Sequence, residues 1–200
     1  MRGFREVFLI VGLGNPGEKY ARTRHNVGFA VLHAWSDALG VRFSSRRFQA
    51  QHAQAVFQGK KVFLVCPETY MNLSGNAVRA CRDYYDIDQE HILVIHDDLD
   101  LPFGRIKVGR KIGSGGHKGV DSIVRNLGTT GFARVKIGIG RPRYGEPVED
   151  FVLSPFYKDQ EGMLDQVIQG AVQACQLFVL DGVELAMNRI NCQNFGNEEV

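Results

Sequence analysis

The sequence predicts an α/β domain built on one mixed, mostly parallel central β-sheet with helices on both faces. Short continuous apolar runs at 7–11, 91–95 and 135–139 have the composition of strands buried on both sides. Between such runs lie segments with helical spacing, such as Val27, Ala30, Val31, Ala34, Trp35 and Ala38. Alternating strand and helix is the pattern of crossover units over a parallel sheet. At 200 residues the chain suits a single domain, expected over 1–200, and can bury a full core without disulfide staples.

Each element follows from local chemistry. After the strand at 7–11 and the helix from Val27, Gly40 is a stop signal. Residues 50–57 and 61–65 flank the turn Gln58-Gly59-Lys60 and read as an antiparallel hairpin. A polar loop at 67–73 leads to Ser74, a candidate N-cap for a helix running to about Tyr85. The strand at 91–95 ends in the acidic run His96-Asp97-Asp98-Leu99-Asp100. Residues 104–108 read as extended, 112–119 as a glycine-rich loop, and 120–127 as a short helix before the strand at 135–139. The stretch 141–155 carries three prolines and no periodicity, so a surface loop or lid is expected. Met163, Leu164, Val167, Ile168, Ala171, Val172, Cys175, Phe178 and Val179 mark a long amphipathic helix in a C-terminal helical region at 160–190.

Composition narrows the function classes. Hydrophobic residues make up 44% and charged residues 23% of the chain, and no apolar run approaches the ~20 residues of a membrane span. No membrane partner is expected. The first strand-like run starts by Val7, which leaves no room for a signal peptide and makes the cytoplasm the expected compartment. Cys66, Cys81, Cys175 and Cys192 lie far apart without a CxxC pair, so neither a zinc site nor a disulfide framework is expected. A net charge of +2 announces no polyanion by itself, although basic residues cluster at Arg105-Ile106-Lys107 and Arg110-Lys111.

Gly12, Gly14 and Gly17 have the G-x-G-x-x-G spacing of a dinucleotide-binding turn. Such a turn needs a helix opening at about its second glycine to face the pyrophosphate. Here Asn15-Pro16-Gly17 is turn chemistry and helical spacing begins only near residues 23–27. Asp37, the one acid at the right distance for a ribose, falls inside the helix. No cofactor is expected. The loop instead carries a dense polar set: Asn15, Tyr20, Arg24, His25 and Asn26.

Binding sites in open α/β sheets form beyond the carboxyl ends of the strands. Three apolar strands here run into polar loops: one yields Asn15 and His25, one Thr69-Tyr70-Met71-Asn72, and one His96-Asp97-Asp98. If these strands are parallel neighbours, an imidazole, a carboxylate and two carboxamides share one cleft. A carboxylate on one ring nitrogen fixes the histidine tautomer so that the other can take a proton from water. Carboxamides can hold the water or donate to an oxyanion. Each residue also has a plainer reading: His25 as a helix-start histidine, the aspartates as turn formers or a magnesium site, Asn72 as the residue ahead of a cap. A metal is not expected, because no second carboxylate cluster offers the remaining ligands. Neither Ser74 nor Ser114 sits in a nucleophile elbow. The segment around Gly113-Ser114-Gly115-Gly116 reads as a backbone nest for an anion, with Lys107, Arg110, Lys111, Lys118 and Arg134 as nearby cations.

Residues 9–17, Tyr20, 23–29, 69–75, 96–102, Gly115-Gly116-His117 and 134–142 resemble, in order and in register, the signature segments of bacterial peptidyl-tRNA hydrolases. The resemblance implies a monomeric, metal-independent esterase that frees tRNA by cleaving the bond between a peptide, or an N-blocked amino acid, and the 3′-terminal ribose. It implies His25 as the base acting on water and Asp97 as its orienting carboxylate. Asn15 and Asn72 would position substrate, Tyr20 and Met71 shape the groove, and Arg134 meet a tRNA phosphate. Two departures stand out. Lys118 occupies a position where the family usually has asparagine, a substrate and water ligand. Gly109 stands where some relatives have a phosphate-clamping lysine, a role that Lys107, Arg110 or Lys111 could take over. Lys118 also keeps open an alternative: a non-catalytic RNA-binding relative of the same fold, similar to organellar splicing factors.

Overall fold

The computed structural model describes residues 6–196; the expected domain's ends at 1–5 and 197–200 lie outside the described residues. In chain order the elements are β1 (Val7–Gly12), α1 (Val27–Ala38), β2 (Ser45–Arg47), β3 (Ala50–Phe57), β4 (Lys60–Pro67), α2 (Ser74–Tyr85), β5 (Ile92–Asp98), β6 (Ile106–Arg110), α3 (Lys118–Leu127), β7 (Ala133–Gly138), α4 (Val148–Val152), α5 (Lys158–Asp181) and α6 (Val183–Ile190). The described strands form one sheet of order β2-β3-β4-β1-β5-β7-β6. Its centre, β4, β1, β5 and β7, is parallel. The edges are antiparallel, with β3 and β2 on one side and β6 on the other.

Strand alternation divides the core in two. Phe8 and Ile10 of β1 pack with Trp35 of α1, Val167 and Phe178 of α5 and Ile190 of α6. Leu9 and Val11 face the other way, onto Ala77 and Val78 of α2 and Ile123 of α3. Both faces of β1 are therefore covered, which explains its unbroken apolar run. Each large side chain buried in these layers stabilises the fold by about 1.5–3 kcal/mol, before the entropy of ordering the chain is subtracted.

The expected strand ends and helix starts shift where polar residues join elements. β5 continues through His96, Asp97 and Asp98, all buried, because these acids and the imidazole find partners inside the fold. The expectation that Ser74 caps α2 is corrected: it is the first helical residue, and its hydroxyl donates to the Met71 carbonyl at 2.9 Å. The stretch 141–155 is not loop throughout but contains α4. The C-terminal helical region is two helices, broken at Gly182, whose φ of 86° suits glycine. The exposed edge strand β2, whose Ser-Arg-Arg sequence carries no apolar alternation, was not expected.

Gly12, the last residue of β1, serves close backbone approach. A Cβ on Gly12 would lie 2.3 Å from the carbonyl oxygen of Gly28. The chain leaving β1 therefore returns directly across its own strand end, through a 3-10 turn at Arg24–Asn26, before α1 begins at Val27. That return is what carries His25 over the sheet.

Candidate active site

The strands β4, β1 and β5 are adjacent and parallel, so the loops that follow them meet at one end of the sheet. The loop after β1 is held by reciprocal bonds: Asn26 accepts from the Asn15 amide through Oδ1 and donates through Nδ2 to the Asn15 carbonyl, both at 2.9 Å. Asn15 in turn accepts from the Met71 amide through Oδ1 at 3.1 Å. This pins the loop after β4 to that after β1 and leaves the Asn15 Nδ2 donor uncommitted among the described residues. An unpartnered carboxamide N–H at a strand end suits a carbonyl or an oxyanion.

Asp97, buried at the end of β5, is the centre of the cluster. Its Oδ1 lies 2.8 Å from Nδ1 of His25 and 3.0 Å from Nε2 of His117. Burial by itself would raise the Asp97 pKa, but His25 and His117 act against it and win, so the carboxyl titrates below the ordinary carboxylate range. An ionised carboxylate only accepts, so His25 must donate from Nδ1, which leaves the lone pair of its neutral form on Nε2. His96, the residue before Asp97, is fully buried; its Nδ1 donates to the Asp97 carbonyl at 2.7 Å, and Nε2 has no partner. Burial, then the neighbouring His117, hold the His96 pKa well below the usual imidazole range.

His25, Asp97 and His117 line a cavity of about 220 Å³ together with Asp98, Leu99, Gly115, Gly116, Lys118 and three residues of α4, Val148, Glu149 and Val152. The α4 wall is tied to the loop that bears His25. The buried guanidinium of Arg24 donates to the carbonyls of Phe151 at 3.0 Å and Ser154 at 3.3 Å. It also lies 3.9 Å from the Phe151 ring centroid and 4.3 Å from that of Tyr157. Such stacking of a desolvated cation adds to the hydrogen bonds.

His25, Asp97 and His117 are also the described side chains close enough to suggest a cation site. Hydrogen bonding argues against that use. Nδ1 of His117 faces the amides of Gly119 at 3.2 Å and Val120 at 3.3 Å. It must be the acceptor there, so Nε2 carries the proton and offers no lone pair to a metal.

The other expected residues are placed unevenly. Lys118 is exposed at the start of α3 and lines the His25 cavity. Tyr20 lines a neighbouring cavity of about 460 Å³ with Pro16, Thr69, Tyr70 and Leu73. Met71 is buried beneath Asn15, and Asn72 is exposed on the adjoining turn. Lys107 and Lys111 are exposed on β6 and just beyond it. Arg134, expected to meet a phosphate, has a buried guanidinium that donates to the Ile112 carbonyl. Arg110 pairs with Ala133 at the start of β7, the opposite end of the sheet from Asp97, and donates to the Glu90 carbonyl at 3.2 Å; Lys111 follows it at that same end. The sequence signal for His117 is its place directly before a helix with no Ser, Thr, Asn or Asp at the cap position.

Residues 9–198 match the family described as Peptidyl-tRNA hydrolase. The chain belongs to the peptidyl-tRNA hydrolase family. It is 46% identical over 186 residues to a peptidyl-tRNA hydrolase of Chloroflexus aggregans, covering 92% of this chain and 99% of the relative. It is 42% identical to one of Bacillus subtilis, covering 94% and 100%. The crystal structure of peptidyl-tRNA hydrolase from Acinetobacter baumannii superposes with a TM-score of 0.89 at 36% identity, covering 98% of this chain and all of that one. The chain is thus a hydrolase acting on the ester bond of peptidyl-tRNA. Among the described residues, no helix is long and apolar enough to cross a membrane.

Proposed function

We propose that this peptidyl-tRNA hydrolase cleaves its ester by water attack, with His25 as general base and Asp97 as the carboxylate that orients it. The observation that carries this reading is the 2.8 Å bond from His25 Nδ1 to the buried Asp97, with Nε2 in the cleft. Nε2 takes a proton as the water oxygen attacks the ester carbonyl. Asn15 Nδ2 is the donor suited to the carbonyl oxygen as it gains charge. The same proton then serves the departing ribose oxygen, returning His25 to its starting state.

In this reading Tyr20 and Met71 shape the groove beside the base, Asn72 meets substrate from its exposed turn, and Lys118 supplies a cation at the cleft. Lys107 along β6, and Arg110 and Lys111 at its far end, are the cations for tRNA phosphates outside the cleft. The protein is taken to act as a monomer in the cytoplasm, without a metal. Replacing His25 by Ala should lower kcat for an N-blocked aminoacyl-tRNA by about 10²- to 10⁴-fold with little change in melting temperature. Undiminished turnover would remove His25 from the mechanism.

A further inference from the structure

We infer that His117 is a positioning residue for ester hydrolysis: its Nε2–H holds the Asp97 carboxylate in the orientation that serves His25. The inference rests on the reading of His25 as base and Asp97 as its partner. Both imidazoles reach the same oxygen, Asp97 Oδ1, at 2.8 and 3.0 Å. The aspartate terminal torsion is soft, so with His25 alone the carboxylate plane could rotate and swing the accepting oxygen off the His25 N–H. A second donor on the same oxygen removes that freedom.

The tautomer of His117 is set by the backbone. Its Nδ1 accepts from the amides of Gly119 and Val120, which makes the ring the N-cap of α3. The proton is therefore on Nε2, the atom that faces Asp97. His117 is buried, unlike His25, and so holds its bond away from competing water. The groups around this carboxylate are His25 from the 3-10 turn, His96 and Asp98 on β5, Lys136 on β7, Lys118 at the start of α3 and Glu149 on α4. Lys136 is committed to Asp98. His117 is thus the second hydrogen-bond donor on Asp97 Oδ1.

Two substitutions separate the two nitrogens. Asn at 117 puts an amide oxygen near the Nδ1 position and caps a helix well, but does not reach Asp97. Gln puts an N–H near the Nε2 position and gives up the cap. With an N-blocked aminoacyl-tRNA as substrate, His117→Asn should lower kcat on the order of 10- to 100-fold, with KM and melting temperature nearly unchanged. The acid limb of its kcat/KM profile should move to higher pH, because Asp97 then gives its charge to His25 alone. His117→Gln should recover most of kcat while melting lower. The inference is overturned if His117→Asn keeps wild-type kcat and pH profile while His25→Ala is inactive, or if both variants lose activity only in step with stability. If His25→Ala is itself fully active, the base assignment fails first.

Discussion

Two neighbouring aspartates on β5 carry the same side chain to different ends. Asp97 Oδ1 faces two imidazoles, both lining the cleft. Asp98 Oδ2 faces the ammonium of Lys136 at 2.7 Å, and its Oδ1 accepts the Asp100 amide at 2.8 Å. The buried Asp98–Lys136 ion pair ties β5 to β7 as a strut. An imidazole can gain and lose a proton near neutrality, so the Asp97 cluster can do acid–base chemistry. The partner, more than the carboxylate, separates mechanism from scaffold.

The comparison can be broken first at Asp97. Asp97→Asn leaves a group that cannot accept from both histidines as a charge, and should lower kcat by about 10²- to 10⁴-fold with modest loss of stability. Single-turnover hydrolysis measures this; a variant within a few-fold of wild type would make Asp97 a scaffold residue too. Asp98→Asn should do the reverse. It leaves Lys136 buried without its counter-charge, costing about 3 kcal/mol in urea unfolding, with a smaller loss of activity than the Asp97 variant.

A third test concerns His96, the residue before the pair. Its folded-state pKa is depressed, chiefly by burial, so above about pH 6.5 both folded and unfolded chains hold it neutral. Below that, the unfolded chain takes up a proton that the folded chain refuses, and stability falls as pH drops. His96→Asn keeps a donor for the Asp97 carbonyl and cannot titrate. Its melting temperature should fall less steeply between about pH 7 and about pH 5, a residual slope remaining from His33 and His52, which burial also depresses. Asp97 acts at lower pH: its depressed pKa contributes stability above about pH 3.9 that is lost on further acidification.

The smallest effect is expected at Lys118, an exposed lysine against the committed Lys136. Lys118→Asn should change kcat/KM by less than about ten-fold and flatten its dependence on ionic strength. Hydrolysis at low and high salt checks this.

Much of this arrangement was legible before any coordinates. The parallel centre followed from apolar runs that need cover on both faces, and the meeting of Asn15 and His25 with Asp97 followed from two neighbouring parallel strand ends. What could not be read was direction. Arg134 sits at a position that looks available to phosphate, yet its strand neighbours turn it inward to Ile112. Arg110 lies close in sequence to Lys107 but at the opposite end of the sheet from the cleft, because β6 runs antiparallel to β7. The bond from His117 to Asp97 could not be read either, since it joins residues 20 apart. α4 is only one turn long and gains its place from Arg24, a contact across 127 residues that no local pattern announces.

That last contact has a mechanical meaning. Arg24 directly precedes His25 in the chain and grips the far wall of the cleft by two carbonyls and two rings. Wall and imidazole thus share one mounting, as jaw and anvil do in a vice. The width of the cleft and the placing of His25 therefore depend on the same buried guanidinium.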